Sequence, residues 1–473
     1  MSEKNKMLYR LEDVPKPFSK AFALGLQHVL TMFGATVAVP LLVAPAMGMD
    51  AGQTALLVAA AMLSAGVATL LQVNFGTHLP IVQGMSFAFL GPYFAIIAAV
   101  SGGGADPATV MTYITGAILL GAVVEAVIGF SGLMGKIKKI LTPVVIGPVV
   151  TLIGLSLFES GAPKAGTNWF LSGLVIILIF VFSLIVGRKK PVFSSFSILT
   201  AVVIVYLIAL ILTLTGFYDP STPGYVDFAP VKSADWFRIN LVFPWGMPRF
   251  DLGFFLVILA GYLASIIESY GDYHAIASIV QTSELKPAQI NKGIGMEGVA
   301  CFLAGIFGGL SNTSYSENIG LVGLTRVASR YVVNVGAVIL IILGIFGKFG
   351  GAVASIPEPI VGGLYCSLFG LIAAVGISNT AKADLTSSRN LLIIGFILFM
   401  GLSIPAYFNS LEAAGTPFVI EGATWLSDII NNIGKTSMAV AAIFGLILDN
   451  LIPGTPKERG IEALDNLGED GKK

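Results

Sequence analysis

One feature governs what this chain can fold into: apolar runs of membrane-crossing length recur along nearly all of it. A helix needs about 20 apolar residues to span the hydrocarbon core of a bilayer. Such runs stand near 19–44, 52–73, 82–100, 108–130, 140–158, 168–187, 195–216, 251–277, 293–310, 316–326, 330–350, 356–377, 388–405 and 434–452, fourteen in all. Only 11% of the 473 residues are charged, against about 25% in an ordinary soluble domain, too few to cover a soluble surface. The chain therefore reads as an all-α polytopic membrane protein. A formal net charge of zero argues against a nucleic-acid partner. Cys301 and Cys366 sit in apolar runs and read as small packing residues rather than a disulfide or metal pair. The polar opening "MSEKNKMLYRLEDVPKPFSK" shows no removable signal peptide.

Two segments are irregular. The third opens with "VQGMSFAFLGP", and the tenth, "SENIGLVGLTR", is too short to cross alone. Non-helical backbone at membrane depth survives only where protein or a wet cavity satisfies its polar groups. Lys and Arg collect in the N-terminal tail, in "GKIKKI", "GRKKP", "ELKPAQINK", "TRVASR" and "TAKADLTSSRN", and in the C-terminal "PKERG". With fourteen spans all of these lie on one side, and the positive-inside rule makes that side, with both termini, cytoplasmic. The longest opposite connection, 217–250, carries Lys232, Arg238 and Arg249, but long loops weigh less under that rule.

Fourteen spans divide into seven plus seven, and an odd repeat inserts upside down relative to its twin. "PVVIGPVVTLIG" (143–154) matches "PIVGGLYCSLFG" (359–370) at five of twelve positions, linking the fifth and twelfth segments. Ser86-Phe87 matches Ser314-Tyr315, linking the third and tenth, and Phe33-Gly34 matches Tyr270-Gly271, linking the first and eighth. The expected organisation is a tail over 1–18, one repeat over 19–216, an extracellular connection over 217–250, the second repeat over 251–452 and a tail over 453–473. Inverted repeats with helices broken in matching places mark secondary transporters, whose substrate sits at the breaks.

The polar residues gather near those breaks. In "GYLASIIESYGDYHAIASIV" (261–280), Glu268 and Asp272 lie one helical turn apart on one face. A charge at membrane depth costs about 2.5–3.5 kcal/mol on insertion scales and marks a functional position by default. Two carboxylates this close disfavour simultaneous ionisation, which suits a proton carrier; the alternative is a structural pair bonded to neighbouring helices. His274 points to another face and reads as a packing histidine. His28 and His78 stand apart from it, and three scattered histidines make no metal site. Glu125, alone in the fourth span, is either functional or bonded to a neighbouring helix. In "GGLSNTSYSENIGLVGLTRVASR" (308–330), Glu317 and Asn318 precede a stretch that can open a half-helix. The free N–H groups and positive dipole end there suit a carbonyl-rich or anionic ligand.

These residues carry a resemblance. "ENIGLVGLTR" (317–326) is similar to the signature of the nucleobase–ascorbate transporter family. "QHVLTMFGATVAVP", "QGMSFAF", "ESYGDYHA" and "IPEPIVGG" resemble that family's other hallmarks, in the expected order. The resemblance implies a core of spans 1–4 and 8–11 that moves as an elevator against a gate of spans 5–7 and 12–14. It also implies short strands in spans 3 and 10, a homodimer in the cell membrane, and coupling of import to protons. By the same resemblance Glu268 and Glu317 hydrogen-bond the ring, Phe87 and Tyr315 flank it, and the Ser316 amide donates to a ring carbonyl. Asn318 supports the site, and Asp272 occupies a proton-coupling position.

The chemistry fits a nucleobase, whose edge sets N–H donors beside carbonyl acceptors: an ionised carboxylate only accepts, so Glu268 and Glu317 would read ring N–H groups. Ascorbate members usually carry Pro where Glu317 stands. Glu317 resembles uracil permeases, whereas "ESYGDY" resembles purine members, so uracil is placed first, with xanthine or urate as the alternative. An anion carrier of the same fold is a more distant reading. No phosphate loop, H-E-x-x-H or plausible G-x-S-x-G appears, so neither an enzyme nor a cofactor is expected.

Overall fold

The computed structural model describes residues 7–462, apart from 102–103, 191, 239 and 281–284. The extremes of both tails, 1–6 and 463–473, thus lie outside the described residues. Each of the fourteen stretches contains helix. In the first half these are Phe18–Ala46, Ala51–Phe75, Leu90–Ser101, Pro107–Phe130, Pro143–Ser156, Trp169–Phe180 and Ser197–Leu214. In the second half they are Leu252–Ile279, Pro287–Ile306, Ser316–Thr325, Arg330–Ile345, Glu358–Thr380, Ser388–Ala413 and Ser437–Leu451. They are called spans 1 to 14 below. Among the described residues, nine helices are long and apolar enough to cross a membrane. The protein is a multi-pass membrane protein. Its helices begin where short polar side chains satisfy free N–H groups: Asp50, Asp106, Asp251, Ser329 and Ser387 each cap a span.

The repeat halves interlock through glycines. Span 5 packs antiparallel on span 12. A Cβ on Gly147 would meet Thr380, one on Gly154 would meet Phe369 and Ala373, and one on Gly376 would meet Thr151, all at backbone-contact range. The second such pair is spans 4 and 9, where Gly129 meets Gly295 and Gly298 meets Ala122 and Ala126. Small residues allow this approach without a hydrophobic driving force, which is how helices associate in lipid.

Before spans 3 and 10 the chain is extended. β1 (Gln83–Met85) and β2 (Asn312–Ser314) pair antiparallel, with Gln83 opposite Ser314, Gly84 opposite Thr313 and Met85 opposite Asn312. Buried backbone outside helices must find partners, and here side chains supply many of them. The Ser311 N–H reaches the Tyr93 hydroxyl at 2.8 Å, the Asn312 N–H the Cys301 sulfur at 3.3 Å, and the Ser314 N–H the Ser269 hydroxyl at 3.3 Å. The Gln83 N–H reaches Thr69 Oγ1 at 3.0 Å.

The basic ends cohere as well. The N-terminal segment docks on the loop between spans 10 and 11: the Leu8 N–H donates to the Arg326 carbonyl, and Arg330 pairs with Glu12 at 2.6 Å. The C-terminal segment docks on the ends of spans 13 and 14. Asp449 is buried there between Arg389 at 2.9 Å and Arg459 at 2.6 Å. The connection over 217–250 is pinned at the other ends, with Arg238 donating to the Phe307 carbonyl at 2.6 Å.

Candidate functional site

Span 8 delivers Glu268 and Asp272, and the start of span 10 delivers Ser316 and Glu317. Glu268, Asp272 and Ser316 line one cavity of about 230 Å³, closed on its far wall by Pro143, Ile146 and Val150 of span 5 and by Val375, Asn379 and Lys382 at the end of span 12. That is smaller than the ~300–1,000 Å³ of sites for drug-sized ligands, so it suits a small molecule. Ser316 Oγ donates to Asp272 Oδ1 at 2.7 Å. Glu268 and Glu317 both keep a water-accessible face. The charges of Asp272, Glu317 and Glu297 all act on Glu268. The acids of spans 8 and 10 are thus brought together.

The helix of span 10 begins at Ser316, so Glu317 and Asn318 lie inside its first turn rather than before it, a correction to the expectation. Tyr315 does not line the cavity. Its hydroxyl donates to the Met85 carbonyl at 2.7 Å and accepts from Thr36 at 3.1 Å, which ties span 10 to β1 and span 1. Phe87 is half-buried at the N-terminus of span 3, also outside the cavity lining. Asn318 is buried, and its amide donates to the His28 carbonyl at 2.9 Å and faces His28 Nδ1 at 3.2 Å. His28 is therefore not the isolated residue the sequence suggested. His274 packs against the Tyr270 ring at 4.7 Å, as expected of a packing histidine. Among the described residues, no cluster of His, Cys, Asp and Glu could hold a metal ion.

Glu297 in span 9 is the residue that the sequence reading missed. It is wholly buried and gathers donors from three directions. Gln83 Nε2 reaches it at 2.8 Å, Ser269 at 2.6 Å, Ser265 at 3.0 Å, Tyr273 at 3.2 Å and Ser314 at 3.3 Å. One carboxylate thereby joins span 8, span 9 and both strands. The signal was available, since Glu297 is another acid inside an apolar run. Glu125 is equally buried, and neither of its oxygens has a hydrogen-bond partner among the described nitrogen and oxygen groups. Of the two alternatives for Glu125, the bond to a neighbouring helix has a partner in the Cys301 thiol of span 9.

A helical membrane body, two antiparallel strand tips that break opposed spans, and a small acid-lined cavity beside them define a secondary transporter. The family model Xan_ur_permease, described as Permease family, matches residues 19–410. The chain is 38% identical to solute carrier family 23 member 2 of Homo sapiens, over 97% of this chain and 76% of that one. It is 36% identical to nucleobase-ascorbate transporter 2 of Arabidopsis thaliana, over 98% of this chain and 91% of that one. The chain belongs to the nucleobase–ascorbate transporter family. Among solved structures, the transmembrane domain of a cyanobacterium bicarbonate transporter, BicA, shares the fold at TM-score 0.54 and 14% identity, covering 90% of this chain and 99% of that one. The murine Slc26a9 anion transporter in the inward-facing state shares it at TM-score 0.54 and 11% identity, covering 93% and 69%.

Proposed function

We propose that this protein imports a nucleobase together with protons, uracil first and xanthine or urate as the alternative. In this reading the core of spans 1–4 and 8–11 moves as an elevator against the gate of spans 5–7 and 12–14. The protein works as a homodimer in the cell membrane with both termini cytoplasmic. The observation that carries the reading is the acidic cavity: Glu268 and Asp272 face it, and Glu317 acts on both. Glu268 and Glu317 accept from ring N–H groups and the Ser316 amide donates to a ring carbonyl, while Phe87 and Tyr315, which stand outside the cavity lining, flank the ring once it reaches the strand tips. Asn318 holds the first turn of span 10 against His28. Asp272 takes the coupled proton.

The position of the strands supports this assignment, because they place the N-terminus of span 10 beside the acids of span 8. An anion carrier is the second reading, favoured only by the kind of protein that shares the fold; the two carboxyl groups lining the cavity, with Glu317 acting on both, oppose it. The test is uptake into proteoliposomes under an imposed pH gradient, with uracil, thymine, xanthine, urate, adenine and ascorbate in competition. Glu268→Gln abolishes accumulation, and Asp272→Asn damages proton-driven accumulation more than exchange. Base uptake that ignores the gradient removes proton coupling; uptake of bicarbonate or sulfate alone promotes the second reading.

A further inference from the structure

Among the described residues, one basic side chain stands in the wall of the acid-lined cavity. Lys382 lines it from the end of span 12, across from Asp272 on span 8. Carboxyls act on Asp272 as well: Glu317 from span 10 and Glu297 from span 9, while Glu268, one turn earlier on the same helix, is itself acted on by Asp272. Span 5 presents only the apolar Pro143, Ile146 and Val150. Among the described residues acting on it, an ionised Asp272 therefore meets like charges from spans 9 and 10 and an opposite one from Lys382.

Lys382 is held by a braced platform. Its Nζ donates to Asn379 Oδ1 at 2.7 Å. Behind it, the backbone of Gly460, at φ +77°, comes so close that an added Cβ would lie 2.8 Å from the Lys382 carbonyl oxygen. The Asp384 N–H and Asn390 Nδ2 both donate to the Glu458 carbonyl, at 3.0 and 2.8 Å. The C-terminal segment thus fixes the chain from which Lys382 projects. Burial pulls the Lys382 ammonium below its ordinary range, and the Asp272 carboxylate opposes that pull. Each charge offsets the desolvation of the other.

We propose that Lys382 is the gate-borne counter-charge that receives Asp272 when its proton leaves, making proton release toward the Lys382 side and engagement of core with gate a single event. This rests on the proton-coupled reading above. In the step, the O–H bond of the Asp272 carboxyl breaks and the proton passes to water in the cavity. The carboxylate that remains faces an ammonium that keeps its own protons. Lys382 touches no substrate in this scheme; it is a positioning residue for the coupling group.

The experiment uses the full chain in proteoliposomes with the radiolabelled base that the wild type carries best. Lys382→Gln, Lys382→Arg, Asp272→Asn and the double variant Lys382→Gln/Asp272→Asn are compared at internal pH 7 and 8. Without its counter-charge the carboxyl holds its proton to higher pH. An opposite charge is worth about 1–3 pH units, so Lys382→Gln should lose about tenfold in accumulation at internal pH 7 and recover at pH 8. Lys382→Arg should resemble the wild type, showing that the position tolerates change. The double variant should be no worse than Asp272→Asn alone. Wild-type accumulation by Lys382→Gln at pH 7 overturns the proposal. So does an equal loss at both pH values with a raised KM, which would make Lys382 a substrate contact or a structural residue. If the wild type itself carries no base, the transport reading fails instead, a result distinct from either.

Discussion

Replacing Gly84 by alanine probes how tightly the strand crossing is coupled to the site. Gly84 is the middle residue of β1, opposite Thr313. A Cβ at this position would lie 2.7 Å from Tyr315 Cζ, 2.8 Å from Tyr315 Cε2 and 2.9 Å from Met32 Cε. Carbon atoms rest at about 3.5–4.0 Å, so the ring must retreat by roughly 1 Å. The Met32 methyl ends a flexible side chain and can swing aside. The Tyr315 ring cannot follow, because its hydroxyl is held by the Met85 carbonyl and Thr36 at one end and its backbone leads into span 10 at the other. Overpacking of this kind costs about 1–3 kcal/mol. If Tyr315 flanks the base as proposed, about 2 kcal/mol appears as a roughly 30-fold weaker Kd. Binding of radiolabelled base to the purified protein, with the thermal midpoint measured in parallel, reads both quantities. Tyr315→Phe is the control: it keeps the ring, loses the hydroxyl bonds and should cost about 1 kcal/mol, some fivefold in Kd. A Gly84→Ala protein that binds within twofold of the wild type and melts at the same temperature would refute the packing argument. A lowered midpoint with unchanged affinity would instead remove Tyr315 from the base site.

Other outcomes follow from the buried acids and from the tail. Glu297→Gln turns an acceptor toward the Gln83 amide and four hydroxyls into a donor and should cost about 1–3 kcal/mol, seen as a lower midpoint. Gln83→Glu should restore part of the loss, because it returns one carboxylate and one amide to the same contact. Asp449→Asn leaves Arg389 and Arg459 without their shared carboxylate and should cost about 3 kcal/mol, with unchanged stability ruling out the clamp. The tail should also respond to acid. A hydrogen bond from Ser387 holds the half-buried Glu458 carboxyl below its ordinary value of 4.5. Its contribution is complete above that value and is lost as pH falls through the lowered one. Protease sensitivity near 455–462 should therefore rise in strong acid and not between pH 6 and 8.

Much of the fold was legible because the bilayer allows so little else. Hydropathy located every span, since a crossing helix must be apolar and of a set length, though the start of span 3 and the end of span 13 were each misplaced by eight residues. The breaks before spans 3 and 10 were visible as glycine and small polar residues where a helix should continue. The pairing of β1 with β2 was not derivable from residue patterns, because three-residue strands carry no period of their own. Their register is instead held by Tyr93, Thr69, Ser269 and Cys301, which reach in from spans 2, 3, 8 and 9. The five-position match between spans 5 and 12 proved to have a packing consequence as well. Two of its shared glycines on span 5, Gly147 and Gly154, are where the twins touch.

The site was legible only in part, and the reason lies in how its acids are stabilised. Glu268 and Asp272 stood out because they share a helical face and stay open to a cavity that a ligand can enter. Glu297 followed the same rule of an acid inside a span, but its partners are serines, a tyrosine and a glutamine scattered over 83–314, none of which looks significant alone. A carboxylate satisfied by neutral donors leaves no charge pattern in a sequence. His28 was hidden for a related reason, since its partner Asn318 lies 290 positions away. Both cases place the legible residues at the cavity and the illegible ones behind it, holding the strands and the first turn of span 10 in register. Substitutions behind the cavity should therefore act mainly through the geometry of Tyr315, Ser316 and Glu317. A paired Glu297→Gln/Gln83→Glu variant that regains its thermal midpoint should regain base affinity with it. Recovery of stability without affinity would mean that Glu297 acts on the ligand through its charge.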